Sequence, residues 1–114
     1  MSEKMIDPQA AVDFMIAKSG EYAKAKADRI YMEEYRKSLK SQLMKDALVG
    51  GYEAANAQER EAYSNPTYKE HLQALRQAVE VEEKLRWLLI AAEARIEVWR
   101  SQEASKRTEH RMTV

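Results

Sequence analysis

The sequence predicts an all-α protein: two long antiparallel helices, joined by a short connecting helix, that form a helical hairpin. Three observations lead to this prediction. β-Branched residues are sparse and never alternate with polar ones, so no strand is indicated. Signals that stop a helix are confined to Gly50-Gly51 and Asn65-Pro66. C-terminal to these signals, residues 81–99 carry apolar side chains at helical spacing.

The first long helix is predicted over residues 7–49. Asp7 is a suitable N-cap, Pro8 fits the first helical position, and the Gly-Gly pair ends the helix. A helix of this length spans about 63 Å at 1.5 Å per residue. Ser19-Gly20 is its weakest point because glycine inside a helix costs about 1 kcal/mol relative to alanine. The sequence does not decide whether the helix breaks there.

The short helix is predicted over 52–63, a stretch rich in Ala and Glu. Asn65 then caps a second long helix, predicted over 65–106. The polar tail 107–114 is expected to fray. The chain 1–114 is thus interpreted as a single helical domain.

The two long helices carry more apolar surface than one hairpin can bury. In the first helix, one apolar stripe contains Val12, Ile16 and Ile30, and a second contains Phe14 and Leu39. The second helix also has two stripes, on nearly opposite faces of 81–99. Exposed apolar stripes mark interfaces, so a homo-oligomeric bundle or ring is predicted. The residues expected at the subunit interface are Leu85, Trp87, Leu88, Ala91, Ala92, Ile96 and Trp99.

Composition excludes several classes of function. The chain is 45% hydrophobic and 33% charged and has no cysteine and no long apolar run, which predicts a cytoplasmic protein without a membrane span. His71 and His110 have no neighbours at metal-ligand spacing, and His71 is interpreted as a surface or cap residue. Glu82 belongs to a glutamate cluster beside Lys84 and is assigned to a solvated face. No catalytic residue, metal or cofactor is predicted.

Charge is segregated although the net charge is zero: residues 18–45 carry eight basic against four acidic residues. Lys18, Arg29, Arg36 and Lys40 lie nearly in line along the first helix, between its two apolar stripes. This basic strip fits contacts to a phosphate backbone, with Tyr22 or Tyr31 available for base stacking. On composition alone, a helix face balanced by acids from a partner helix is somewhat favoured. The candidate nucleic-acid-binding residues are Lys26, Arg29, Arg36, Lys37 and Lys40.

Four segments follow one another along most of the chain: KAKADRIYMEEYRKSLKSQLMKDAL, VGG, NPTYKEHLQAL and KLRWLLIAAEARIEVWRSQEASKR. In the pattern and order of these elements, the chain resembles the UvsY-type recombination mediators encoded by phages. The resemblance implies a ring that binds single-stranded DNA and helps load a recombinase onto strands coated by single-strand-binding protein, without catalysing a reaction.

The leading hypothesis is therefore a non-enzymatic, oligomeric recombination accessory protein that binds single-stranded DNA. Its expected partners are further copies of itself, single-stranded nucleic acid, and a recombinase or single-strand-binding protein. A phage-encoded protein of this kind would act in the host cytoplasm. The competing hypothesis is a phage adaptor or inhibitor that binds a host enzyme through its exposed helix faces. The sequence fixes neither the oligomer number nor a preference for DNA over RNA.

Overall fold

A computed structural model describes residues 5–113. The described chain contains three helices and no strand: α1 (Pro8–Val49), α2 (Ala55–Ser64) and α3 (Pro66–Thr113). The predicted all-α hairpin, with two long helices joined by a short one, is confirmed. Assembly of several copies stays a prediction.

α1 begins where the sequence predicts. The Asp7 carboxylate accepts hydrogen bonds from the backbone N–H groups of Gln9 (3.0 Å) and Ala10 (3.2 Å), two donors that the first helical turn leaves unpaired. The helix then continues through Ser19-Gly20 without a break. The Ser19 hydroxyl donates to the Ile16 carbonyl (3.0 Å), an arrangement compatible with an intact helix.

α1 ends at the Gly-Gly pair through a Schellman motif. The Tyr52 N–H donates to the Ala47 carbonyl (3.0 Å), and the Gly51 N–H donates to the Leu48 carbonyl (3.1 Å). Gly51 has φ of 106°, in the left-handed region that glycine adopts without a steric penalty. The glycine therefore both satisfies the last carbonyls and turns the chain.

α2 begins three residues later than the sequence predicts. The Gln58 side chain donates to the carbonyls of Tyr52 (3.0 Å) and Glu53 (3.1 Å), which holds this stretch as a turn outside the helix. At the other end, Asn65 joins α2 to α3. Its N–H donates to the Ala62 carbonyl (3.2 Å), and its side chain accepts from the Thr67 N–H (2.8 Å), as an N-cap does.

α3 extends beyond its predicted end. Residues 107–113, expected to fray, continue the helix to Thr113. An ion pair joins Lys106 to Glu103 (3.3 Å), and the Thr108 hydroxyl donates to the carbonyl one turn back. His110 and Arg111 lie in the last turn, where positive charge is favoured by the helix dipole.

Contacts divide the chain into two compact units, each built from parts of the long helices. The connecting unit, residues 24–82, contains α2 and the adjoining parts of α1 and α3. Its core is a cluster of Leu39, Leu43, Ala62 and Tyr68, against which Met44 packs.

The terminal unit consists of the described residues 5–23 and 83–113. Among these, the buried residues are two alanines, Ala11 and Ala92. The larger apolar side chains around them, such as Phe14 and Leu89, are half-buried. The terminal unit therefore has a much thinner core than the connecting unit.

Candidate interaction surfaces

The in-line members of the basic strip are not on an open surface. Lys18, Arg29, Arg36 and Lys40 are each half-buried. Helical spacing explains this, because in the connecting unit the same side of α1 carries the buried Leu39. The strip therefore lies along the side of α1 that packs within the chain.

Arg29 is held by two carboxylates. Its Nε and Nη2 atoms donate to both oxygens of Glu82 on α3, at 2.6 and 2.9 Å, and its Nη1 donates to Glu33 at 3.0 Å. Bidentate arginine–carboxylate pairs are among the strongest polar contacts in proteins. The hydrogen bond with Glu82 is the largest cause that raises the pKa of Arg29, so the guanidinium stays charged.

Glu82 corrects an expectation from the sequence. The glutamate cluster predicts a solvated face at this position, yet Glu82 is only 6% exposed. A buried carboxylate needs charged or hydrogen-bonded partners, and Arg29 supplies them. The signal was absent from the sequence because the two residues are separated by 53 positions.

Lys40 and Lys37 also have acidic partners. Lys40 lies 3.7 Å from Glu59 of α2, with its ammonium 4.8 Å from the centroid of the Tyr63 ring. Lys37 pairs with Glu34 one turn away, at 3.1 Å. In three of the five candidate nucleic-acid-binding residues, the positive charge is thus compensated by a neighbouring glutamate.

The remaining two candidates differ in exposure. Lys26 is exposed and Arg36 is half-buried, and neither makes an ion pair with any residue that the structure describes. The contacts of Arg29 and Lys40 match the competing interpretation, in which acids on neighbouring helices balance the strip. Nucleic-acid binding at these five positions stays a prediction.

A row of aromatic rings crosses the connecting unit. The rings of Tyr31 and Tyr35 stack with centroids 6.0 Å apart and 15° between their planes, and the Tyr35 ring lies 5.4 Å from His71. The Nε2 N–H of His71 donates to the Met32 carbonyl at 2.7 Å. His71, interpreted from the sequence as a surface or cap residue, instead links α3 to α1. The i,i+4 spacing of the tyrosines was the available signal for the stack.

The predicted interface residues of α3 lie on two sides of the helix. Ala92 is buried, and Leu85, Ile96 and Trp99 are half-buried, so the chain itself covers this side. Leu88 lies at the margin, 39% exposed. Ala92, Leu85, Ile96 and Trp99 thus pack within one copy of the chain, and contact of the seven residues with another subunit stays a prediction.

The opposite side of α3 is open. We call this surface the Trp87 stripe; Trp87 is 59% exposed and Val98 is 48% exposed. Its members are Trp87, Ala91, Ala94 and Val98, all of them exposed.

A second open surface lies on α1 in the terminal unit. Ile16 is 70% exposed, and the neighbouring Val12 and Ala23 on the same helical side are exposed too. We call these three residues the Ile16 stripe. Phe14 and Ala11 face the interior instead, so α1 uses one of its two predicted apolar stripes internally and leaves the other uncovered.

A shallow groove of about 640 Å³ in the terminal unit is bordered by Ile6, Phe14, Leu88 and Arg95. Its lining is largely apolar and contains no nucleophile paired with a base.

Among residues 5–113, no group of three or more His, Asp or Glu side chains is placed to hold a metal ion. None of the described helices is both long and apolar enough to cross a membrane.

Comparison of this chain with models of protein families, with curated proteins and with solved structures gave no match. The two uncovered apolar stripes and the inward-facing basic strip are thus the observations that bear on function.

Proposed function

We propose that this chain is a non-enzymatic helical interaction protein whose copies associate through their outward apolar stripes. The observation that carries the proposal is the exposed Trp87 stripe in a unit whose buried residues, among those described, are two alanines. Large exposed apolar surfaces on soluble proteins usually belong to interfaces, and tryptophan is enriched among residues that dominate binding energy.

The charge balance supports a second copy as the occupant. The sequence carries 19 basic and 19 acidic residues, so its net charge is zero. Copies of a protein with no net charge do not repel one another at long range, and such proteins associate more readily. Apolar contact between copies is then opposed by the entropy lost on association and by the ordering and desolvation of side chains at the contact, but not by net charge repulsion.

The experiment is a solution mass measured by light scattering at micromolar concentration. We expect the wild-type mass to be a multiple of 13.2 kDa, and Trp87→Glu to reduce it because a carboxylate would be buried in the contact. Glu93→Gln, at an exposed position of the same helix away from the stripe, is the matched control and should leave the mass unchanged. A wild-type mass of one copy would contradict self-association and would favour a partner of different sequence at the stripes.

Single-stranded nucleic acid is a second candidate ligand of the assembled protein, as in a recombination accessory protein. The stacked pair of Tyr31 and Tyr35 favours it, because Tyr31 is 69% exposed and offers a ring face to a base. Lys37 and Lys45, with three uncharged polar residues, border a shallow depression on the same unit. Repetition around an oligomer would strengthen these modest contacts through avidity.

An oligonucleotide titration at several salt concentrations tests this candidate. Affinity should fall steeply as salt rises, because cations are released from the phosphates on binding. Tyr31→Ala should weaken binding by roughly 5- to 160-fold, since stacking contributes about 1–3 kcal/mol per base. Lys69→Glu on α3 serves as the charge control. No detectable binding at low salt would eliminate the nucleic-acid candidate while leaving self-association intact.

A further inference from the structure

The Trp87 stripe has the spacing of a coiled-coil seam. Trp87, Ala91, Ala94 and Val98 are separated by alternating steps of four and three residues. This repeat keeps a row of side chains on one side of a helix so that it can face a second helix. The same spacing continues to Ser101 and Ser105 in the C-terminal direction.

We propose that this seam docks against the same seam of a second copy in an antiparallel orientation. The inference rests on the proposed self-association and specifies its geometry. A twofold axis would pass midway between Ala91 and Ala94. Trp87 would then lie opposite Val98 of the partner subunit, and Ala91 opposite Ala94 of the partner subunit.

Side-chain size favours this register. The two central positions are alanines, which let helix backbones approach to the short end of the usual range of about 8–10 Å. The bulky Trp87 stands at one end of the seam and the smaller Val98 at the other. An antiparallel pair places the large end of each seam against the small end of its partner. The two ends of the contact then have the same packing, with one tryptophan against one valine.

Charge also favours the antiparallel over the parallel orientation. Toward the N-terminus from Trp87, the next two seam positions are Lys84 and Glu80. In a parallel twofold pair, each would face the same residue of the other copy, and like charges in direct opposition are destabilising. In the antiparallel register, Lys84 lies opposite Ser101 of the partner subunit, and Glu80 lies opposite Ser105 of the partner subunit. No like charges then meet along the seam.

The surroundings of the seam fit burial against a second helix. Leu88 and Ile90 flank Trp87 and are 39% and 37% exposed, which widens the apolar surface. The guanidinium carbon of Arg86 lies 4.9 Å from the centroid of the Trp87 ring, a cation–π contact that orients the ring. Docking would also cover the unit that has the thinner core.

Cysteine cross-linking measures the register directly, because the chain has no native cysteine. Lys84→Cys and Ser101→Cys would be prepared separately in the full chain and then mixed under mild oxidation. A disulfide needs Cα atoms about 4.4–6.8 Å apart. We expect the mixture to form a disulfide-linked dimer at least ten times faster than either variant alone. Glu93→Cys, on the same helix outside the seam, is the control for random collision.

The possible outcomes separate this inference from the proposed function. In a parallel pair, the two positions are about 26 Å apart along the helix, so the mixture would not cross-link and each variant would cross-link with itself. That result, or a multiple-copy mass without any cross-link at either position, overturns the antiparallel seam but not self-association. A single-copy mass for both reduced variants and the wild type overturns both.

A second variant tests the close approach at the centre. Ala94→Phe inserts a large side chain where the seam needs a small one, and should reduce the mass to one copy while circular dichroism shows the same helix content. An unchanged multiple-copy mass for Ala94→Phe would place the contact between copies elsewhere and overturn the inference.

Discussion

At the scale of single residues, the pair formed by Arg29 and Glu82 explains why the basic strip is not an open binding surface. An arginine donating two hydrogen bonds to a buried carboxylate is part of the packing between α1 and α3. Removing Arg29 would take the bidentate donor away from the buried Glu82 carboxylate, which is far more destabilising than the net stabilisation that the pair contributes. The stability of the connecting unit should therefore depend on this pair.

Arg29→Met should lower the urea midpoint of unfolding clearly, because Glu82 loses its bidentate donor. Arg29→Met combined with Glu82→Leu should recover part of the loss, since apolar residues often replace a buried ion pair without penalty. Lys37→Met is the control: its pair with Glu34 is exposed, and such pairs contribute about 0–1 kcal/mol. Equal losses for Arg29→Met and Lys37→Met would contradict the structural role of the buried pair.

Lys40 gives a prediction about pH. Its interaction with the Tyr63 side chain is the largest cause that raises its pKa, and Glu59 adds to this. Because its pKa is higher in the folded state, the Lys40 ammonium stabilises the folded protein. This contribution is fully present below the ordinary lysine pKa and is lost as pH rises through the raised value. The stability gap between wild type and Lys40→Met should therefore be constant from neutral pH to about pH 10 and shrink above the ordinary value of 10.5. Urea unfolding across this range measures the gap, and a gap that grows with pH would refute the assignment.

At the scale of elements, the helix ends were predictable because they depend on neighbouring residues. Asp7 and Asn65 cap α1 and α3 as the sequence predicts, and Gly51 turns the chain after α1. α2 begins later than its composition predicts because the Gln58 side chain, rather than a helix, satisfies the carbonyls of Tyr52 and Glu53. α3 also continues beyond its predicted end at residue 106, because a polar composition does not distinguish a frayed tail from a solvated helix.

Two glycines offer a matched test of these helix assignments. Gly51 has φ of 106°, so Gly51→Ala forces a side chain into a strained conformation and should lower stability by about 1 kcal/mol. Gly20 lies inside α1 with nothing within 4 Å of an added Cβ, so Gly20→Ala should raise stability by about 0.5–1 kcal/mol. Chemical unfolding of the two variants measures whether each substitution raises or lowers the free energy of unfolding. A loss of stability for Gly20→Ala would mean that α1 is not a regular helix at that position.

At the scale of the whole molecule, the choice of inward faces was not predictable from the sequence. α1 carries two apolar stripes of similar strength, and local spacing does not say which one meets α3. In the structure, the side with Phe14 and Leu39 faces inward, and the side with Ile16 and Ile30 stays exposed. Of the basic residues between the stripes, Arg29 and Lys40 face the neighbouring helices and pair with Glu82 and Glu59, whereas Lys26 stays exposed.

Association and folding are expected to be coupled in this protein. If the Trp87 stripe is buried between copies, unfolding exposes it only after the copies separate, and thermal stability must depend on concentration. For a dimer, a 100-fold dilution lowers the free energy of unfolding by about 2.7 kcal/mol, which corresponds to a fall of several degrees in Tm. Calorimetry or circular dichroism over this range measures the shift. Ala94→Phe should melt at a lower temperature that no longer changes with dilution, because its folding no longer includes association. A wild-type Tm that is independent of concentration would mean that each copy is stabilised by its own core alone, and the uncovered stripes would then need another explanation.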